Sequence, residues 1–279
     1  MALSFFGRAL IALMLLYAAP ALSQPNQAQL QRQIESLKWQ ASPSTGTIAS
    51  VAEIRLTGDL RFLGQEGTQR FLELNGNPPR PNQYTLAPQN IDWFAVFSYR
   101  PSGYVRDNEQ LNPDELIRIL QRNNESGFEE RRRLGLPILR LVGWAVPPHY
   151  DLQTRRLEWG TRLVGDDGQV TVNYTIRLLG RSGVVDAVLV SSPQYLDEDI
   201  RSFKNALNGF DFVSGQRYSE FRDGDRVAEY GLAALIVGGA AAAAASSGAL
   251  KGLGKFIGIA AVASVVAIGA FFKGIFRKK

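Results

Sequence analysis

Residues 138–190 read ILRLVGWAVPPHYDLQTRRLEWGTRLVGDDGQVTVNYTIRLLGRSGVVDAVLV, and this stretch decides the fold. It contains four runs rich in Val, Ile, Leu, Thr and aromatic residues: Ile138 to Val146, Arg155 to Val164, Val170 to Leu179 and Val184 to Val190. Turn-forming groups separate them: Pro147-Pro148, Gly165-Asp166-Asp167-Gly168 and Gly180-Arg181-Ser182-Gly183. Strands joined by such short turns pair antiparallel, because a parallel neighbour needs a crossover of a dozen residues or more. The stretch therefore predicts a meander.

Upstream, Val51 to Thr57, Asp59 to Leu63 and Asp92 to Tyr99 alternate like further strands. Asn112-Pro113-Asp114-Glu115 predicts a helix start, with a capping Asn, a proline at the first helical position and acids in the first turn. That helix carries Leu116, Ile117, Leu120 and Phe128, places Glu129 and Arg133 for an i,i+4 pair, and ends by Gly135 and Pro137. A second helix is expected from about Tyr195 to Leu207, opened by the acids Asp197, Glu198 and Asp199. The expected class is α+β: an antiparallel, meander-rich sheet covered by about two helices.

The ends read differently. Arg8 precedes the apolar run Ala9 to Ala19, and Ala21 and Ser23 place small residues at a cleavage site, so residues 1–23 read as a removable secretory signal. Residues 24–50 read as a short helix with Leu30, Ile34 and Leu37 on one face, then a linker at Ala41 to Gly46. Residues 51–229 form the expected extracytoplasmic domain. Residues 230–252 form a weakly hydrophobic Ala/Gly-rich helix, and 253–279 a membrane span ending in Arg277-Lys278-Lys279. The uncharged run from Phe256 to Phe272 covers roughly 26 Å at about 1.5 Å per residue, and Leu253, Ile275 and Phe276 extend it. With the signal removed, one tail span leaves the domain in the periplasm and the basic C-terminus in the cytoplasm, as the positive-inside rule prefers. Gly248-x-x-x-Gly252 and Gly254-x-x-x-Gly258 offer small-residue faces for helix packing or assembly in the bilayer.

Charge follows the same division. The chain carries +5, but all 26 acidic residues and 24 of the 31 basic ones lie between Arg32 and Glu229, which nets −2. The surplus sits beside the membrane segments and argues against a nucleic-acid partner. The expected partners are the lipid bilayer, through the C-terminal helix, and a protein of the envelope or membrane.

Candidate chemistry is sparse. There is no cysteine, which excludes thiol catalysis, disulfides and a lipidated-cysteine anchor. His149 is the only histidine, and in Pro147-Pro148-His149-Tyr150-Asp151 it reads as a candidate general base or as part of a rigid turn. One His without Cys makes a poor zinc site. Asp166-Asp167-Gly168 and Asp223-Gly224-Asp225 lack calcium-loop spacing, and Gly254-Lys255 has Ala249 where a phosphate loop needs glycine. No cofactor or metal is expected, and no catalytic residue beyond the candidate His149. Arginine supplies 22 of the 24 central cations, with Lys38 and Lys204. Guanidinium forks suit carboxylates or phosphates of envelope polymers, but these arginines are dispersed, as a composition bias would also leave them.

Several stretches carry a family resemblance: Asn75 to Pro79, Trp93 with Tyr99, Gly103-Tyr104-Val105, and Leu141 to Asp151. So do Asn173 to Gly183, and Arg217-Tyr218 leading into Tyr230-Gly231-Leu232-Ala233-Ala234. The chain resembles, from about Val51 into the tail, an uncharacterised bacterial family of membrane-anchored proteins with a domain of unknown function. The resemblance implies export and a C-terminal anchor, and no established activity. The leading expectation is an envelope binding or scaffolding module. The alternatives are an envelope enzyme using His149 and a pore-type assembly of the Gly/Ala-rich tail.

Overall fold

The computed structural model describes residues 27–77, 80–133, 135 and 137–238. The signal segment 1–23, the span 253–279 and most of 230–252 lie outside them. Among the described residues no helix is long and apolar enough to cross a membrane.

The N-terminal half runs α1 (Gln27–Glu35), β1 (Gln40–Ala41), β2 (Ser44–Ile48), β3 (Ala52–Leu56), β4 (Leu60–Leu63), α2 (Gln65–Leu74), β5 (Gln83–Pro88), β6 (Phe94–Arg100), α3 (Pro113–Ser126) and α4 (Phe128–Arg133). There follow β7 (Leu139–Asp151), β8 (Arg156–Gly165), β9 (Val170–Leu179), β10 (Val184–Ser191), α5 (Leu196–Ala206), β11 (Phe210–Phe212) and α6 (Leu232–Val237). Eight strands form one antiparallel sheet in the order β1-β4-β5-β6-β10-β9-β8-β7, and β11-β3-β2 form a second, smaller one. The class is the expected α+β. The meander holds for β7 to β10, which step inward from the sheet's edge until β10 pairs with β6 at its centre.

Both faces of the centre are covered, so β10 is buried throughout and reads as an almost unbroken apolar run. Val185, Ala187 and Leu189 pack with Phe203 of α5 and Ile48, Ile54 and Phe212 of the small sheet. On the opposite face, Val188 and Val190 meet Leu30 and Ile34 of α1 and Phe71 and Leu72 of α2. Val184 meets Leu116 and Leu120 of α3 and Leu232 and Leu235 of α6. Asp186 interrupts this run on the helix-covered face. It lies opposite Arg177 of β9, 2.7 Å away, and bonds Arg100 at 2.5 Å. Burial drives the Arg177 guanidinium down to about 10 against the pull of Asp186.

Several expectations are corrected. Where about two covering helices were expected, the described residues form six α-helices and a second sheet. The linker at Ala41 to Gly46 is largely strand, with only Ser42-Pro43 as a bend between β1 and β2: Ile48 is buried, and Gly46 sits where a Cβ would lie 2.6 Å from the Phe62 ring. Its Ser/Thr composition serves a strand with one wet face. The α2 helix and β5 had no predicted counterpart. The helix after Asn112 starts as read, with Asn112 accepting from the Glu115 N–H at 3.2 Å, but Gly127 divides it into α3 and α4. Glu129 there pairs with Arg132 at 2.6 Å.

Pro147-Pro148 is no turn either. β7 continues through it to Asp151, with register irregularities between Trp144 and His149. An edge strand tolerates proline because its outer N–H groups have no ladder partner to lose. The reversal comes afterwards, where the Asp151 Oδ1 accepts from the Gln153 and Thr154 N–H groups. Finally, the start of the Ala/Gly-rich segment belongs to the domain. Leu232, Ala234, Leu235, Ile236 and Val237 of α6 are buried, because they cover sheet surface at Leu157, Trp159 and Leu179 that is otherwise bare. Glu109 accepts from the Ala233 N–H at 3.0 Å, and Asn123 donates to the Val237 carbonyl at 3.1 Å. Thus α6 is capped at both ends by side chains from another part of the chain. A Cβ on Gly231 would lie 2.3 Å from that Glu109 oxygen.

Candidate functional site

At the end of the sheet where β6 leaves and β10 enters, three distant segments are knitted together. The 180–183 turn closes with Gly180 N–H donating to the Gly183 carbonyl at 2.9 Å. Gly183 passes so near β6 that a Cβ would lie 2.2 Å from the Arg100 carbonyl. The chain after β6 then bonds this turn, Gly103 N–H to Ser182 O at 3.0 Å. The C-terminal segment joins both: Arg181 N–H donates to Gln216 O at 2.9 Å, and Tyr104 N–H to Arg226 O at 2.8 Å. Between them lies a cleft of about 530 Å³ lined by Tyr99, Gly103, Arg181, Ser182, Gln216 and Arg226, among others.

Its charges are set by geometry. Arg181 clamps Asp225 with two bonds, 2.7 and 2.8 Å, and its third nitrogen reaches the Gly215 carbonyl at 3.3 Å. The bidentate guanidinium, helped by the Arg222 N–H, holds the Asp225 carboxyl down at about 2. The Arg181–Asp225 pair is therefore ionised and internally spent. The Arg226 side chain is exposed and has no ion pair among the described residues.

The neutral groups are ordered too. The Ser182 Oγ–H donates to Gln216 Oε1, and Ser182 has one proton to give. The Tyr99 hydroxyl, 2.9 Å from Ser182 Oγ, must then be the donor to it. The relay runs Tyr99 to Ser182 to Gln216, which pins the Gln216 oxygen and leaves its NH₂ as the terminal donor.

Aromatic packing buttresses the cleft. Tyr104 lies between Tyr218 and Phe221, with ring centroids 4.3 and 4.2 Å away. Tyr218 donates to the Val105 carbonyl at 2.9 Å, and Arg155 lies over its ring. Asp107 accepts from the Tyr150 hydroxyl at 2.8 Å and pairs with Arg155. Burial raises the Asp107 carboxyl, but these two partners outweigh it and leave the group below its ordinary value.

His149 lies elsewhere, exposed on β7. Its ladder partner is Glu158, whose Oε2 is occupied by the Tyr174 hydroxyl at 2.5 Å and the Lys204 ammonium at 2.6 Å. Asp151 is engaged by its own turn. Among the described residues no hydrogen bond joins a carboxylate to this imidazole. The Asp197-Glu198-Asp199 triplet opens α5 as expected, and Asp199 also accepts from Ser191 Oγ at 2.6 Å. Asp166 pairs with Arg140, and Asp223-Gly224-Asp225 is a turn that delivers Asp225 to the cleft. Among the described residues no three His, Asp or Glu side chains group to hold a metal. The cleft residues had no motif spacing to reveal them. Gly103-Tyr104-Val105, Gly180 to Gly183 and Arg217-Tyr218 were nonetheless among the stretches that carried the family resemblance, and here they meet.

The profile of a family described as "Protein of unknown function (DUF2167)" matches residues 40–269. No curated protein matches the chain. Among solved structures, the cyanobacterial PsbP (CyanoP) of Synechocystis is similar at 10% identity and a TM-score of 0.35, over 71% of this chain and 99% of that one. The Ran-binding protein Mog1p of Saccharomyces cerevisiae is similar at 8% identity and a TM-score of 0.35, over 66% of this chain and 100% of that one. At such scores neither likeness transfers a fold or a function.

Proposed function

The chain belongs to this family of unknown function, and from that premise we propose that it is a membrane-anchored, extracytoplasmic binding module that takes its ligand in the Tyr99–Arg226 cleft. One observation carries the reading. The cleft gathers a committed ion pair, an ordered hydroxyl–amide relay and an unpaired guanidinium from three parts of the chain. Recognition sites are built of such convergent polar groups on a rigid frame. Export and tethering rest on the apolar run Ala9 to Ala19 and on Phe256 to Phe272 with its basic end. In this arrangement the domain faces the periplasm from the inner membrane, and the C-terminus is cytoplasmic.

The test places a photocrosslinking residue at position 101 of the full chain in cells, where Pro101 also lines the cleft, with position 70 of α2 as the control. A discrete adduct at 101 and none at 70 is expected; identical bulk adducts at both overturn the cleft as the ligand site. Topology reporters fused after Glu229 and at the C-terminus should report opposite sides of the membrane. Reports from the same side overturn the single-span tether.

A further inference from the structure

We propose that the cleft recognises a carboxylate, held between the Gln216 NH₂ group and the Arg226 guanidinium; this rests on the reading of the cleft as the ligand site. The hydrogen-bonding capacity that the protein leaves unspent in the cleft selects the ligand. Arg181 gives Nε and Nη2 to Asp225 and Nη1 to Gly215 O, so it has little left for a ligand. The Ser182 proton goes to Gln216 Oε1, and the Tyr99 proton goes to Ser182. Each hydroxyl proton in that relay is thereby committed, and the relay ends on the two N–H donors of Gln216. Arg226 adds five more N–H donors, and its main chain is pinned by the Tyr104 N–H at 2.8 Å. The uncommitted N–H donors of Gln216 and Arg226 together carry one unit of positive charge. A group with two adjacent anionic oxygens and no proton to offer complements it, and a planar carboxylate meets a planar guanidinium edge to edge. A cationic ligand would oppose the Arg226 charge and leave these donors without partners, at the cost of desolvating them.

Two sources present this chemistry, the C-terminal carboxylate of a peptide and the acid group of a sugar acid. The experiment titrates the full chain in detergent micelles with N-acetylglycine, glucuronate, N-acetylglycinamide and inorganic phosphate, following the backbone amide resonances of Gly103, Ser182 and Gln216, which line the cleft. At least one carboxylate is expected to shift them saturably while N-acetylglycinamide does not, and the one that binds identifies the source. Arg226→Gln and Gln216→Glu should each weaken that binding roughly tenfold, with the remaining amide fingerprint unchanged. Equal binding of N-acetylglycinamide, tighter binding of phosphate than of either carboxylate, or full binding by both variants overturns the proposal. A crosslinked partner at position 101 together with silence from both carboxylates overturns the carboxylate and leaves the module reading standing. Absence of both removes the two together.

Discussion

The Arg181–Asp225 clamp makes a local statement about pH. Asp225 falls from the ordinary 3.8 to about 2, first through the Arg181 bonds and then through the Arg222 N–H. A carboxyl depressed on folding contributes stability that is complete above its unfolded value and is lost as pH falls through its folded one. The chain should therefore lose part of its stability between about pH 4 and pH 2. Asp225→Asn should flatten that part of the acid limb in urea titrations, and an unchanged limb would refute the assignment. Asp186 makes the stronger claim because it is buried. It answers two arginines, and Asp186→Ala leaves Arg177 beneath α6 without a counter-charge. Unpairing a buried charge costs about 3–5 kcal/mol, which equilibrium urea unfolding would register as a large fall in midpoint. A loss below about 1 kcal/mol would mean that water already reaches Arg177.

The edge strand β7 is blunted at both ends. The Asn124 side chain donates to Leu139 O and accepts from Leu141 N–H, both at 2.9 Å, so a helix carboxamide occupies the place of a neighbouring strand. At the other end, Pro147 and Pro148 offer no N–H to an incoming chain. Asn124→Ala should cost about 1–3 kcal/mol by leaving both groups unmet, and should raise the aggregation rate measured by light scattering. Much of this element pattern was legible. The four strands of 138–190 and the Asn112 cap follow from local chemistry: apolar periodicity, turn residues and a capping side chain. What stayed hidden depends on contacts across the chain. Ser44 to Ile48 becomes strand because Phe62 lies under Gly46, and the prolines stay in strand because β7 is an edge. Leu232 to Val237 is core because α3 and the sheet leave a groove there. The cleft was illegible for the same reason, since Tyr99, Ser182 and Gln216 meet only after β6 and β10 have paired.

For the molecule as a whole, α6 makes the boundary between domain and tail a matter of packing. Burying Leu232, Leu235, Ile236 and Val237 is worth about 1.5–3 kcal/mol for each side chain, and whole domains are stable by only about 5–15 kcal/mol. A chain ending at Glu229 should therefore bind a dye for exposed apolar surface and unfold at much lower urea. A chain ending at Gly238 should do neither. Equal behaviour of the two would show that α6 adds nothing to the core.

The pairing of β6 with β10 also has a consequence for the order of events. Phe94 faces Val190 and Arg100 faces Val184, so about 90 residues must be made before the central seam can close. During vectorial synthesis the half-sheet β4-β5-β6 waits with Phe94, Ala95, Val96 and Phe97 along an open edge. When the seam forms, it joins the two half-sheets and, in the same step, brings Tyr99 to Ser182. The pocket is thus a late product of folding, and a chain halted before β10 carries neither a finished sheet nor a site to test.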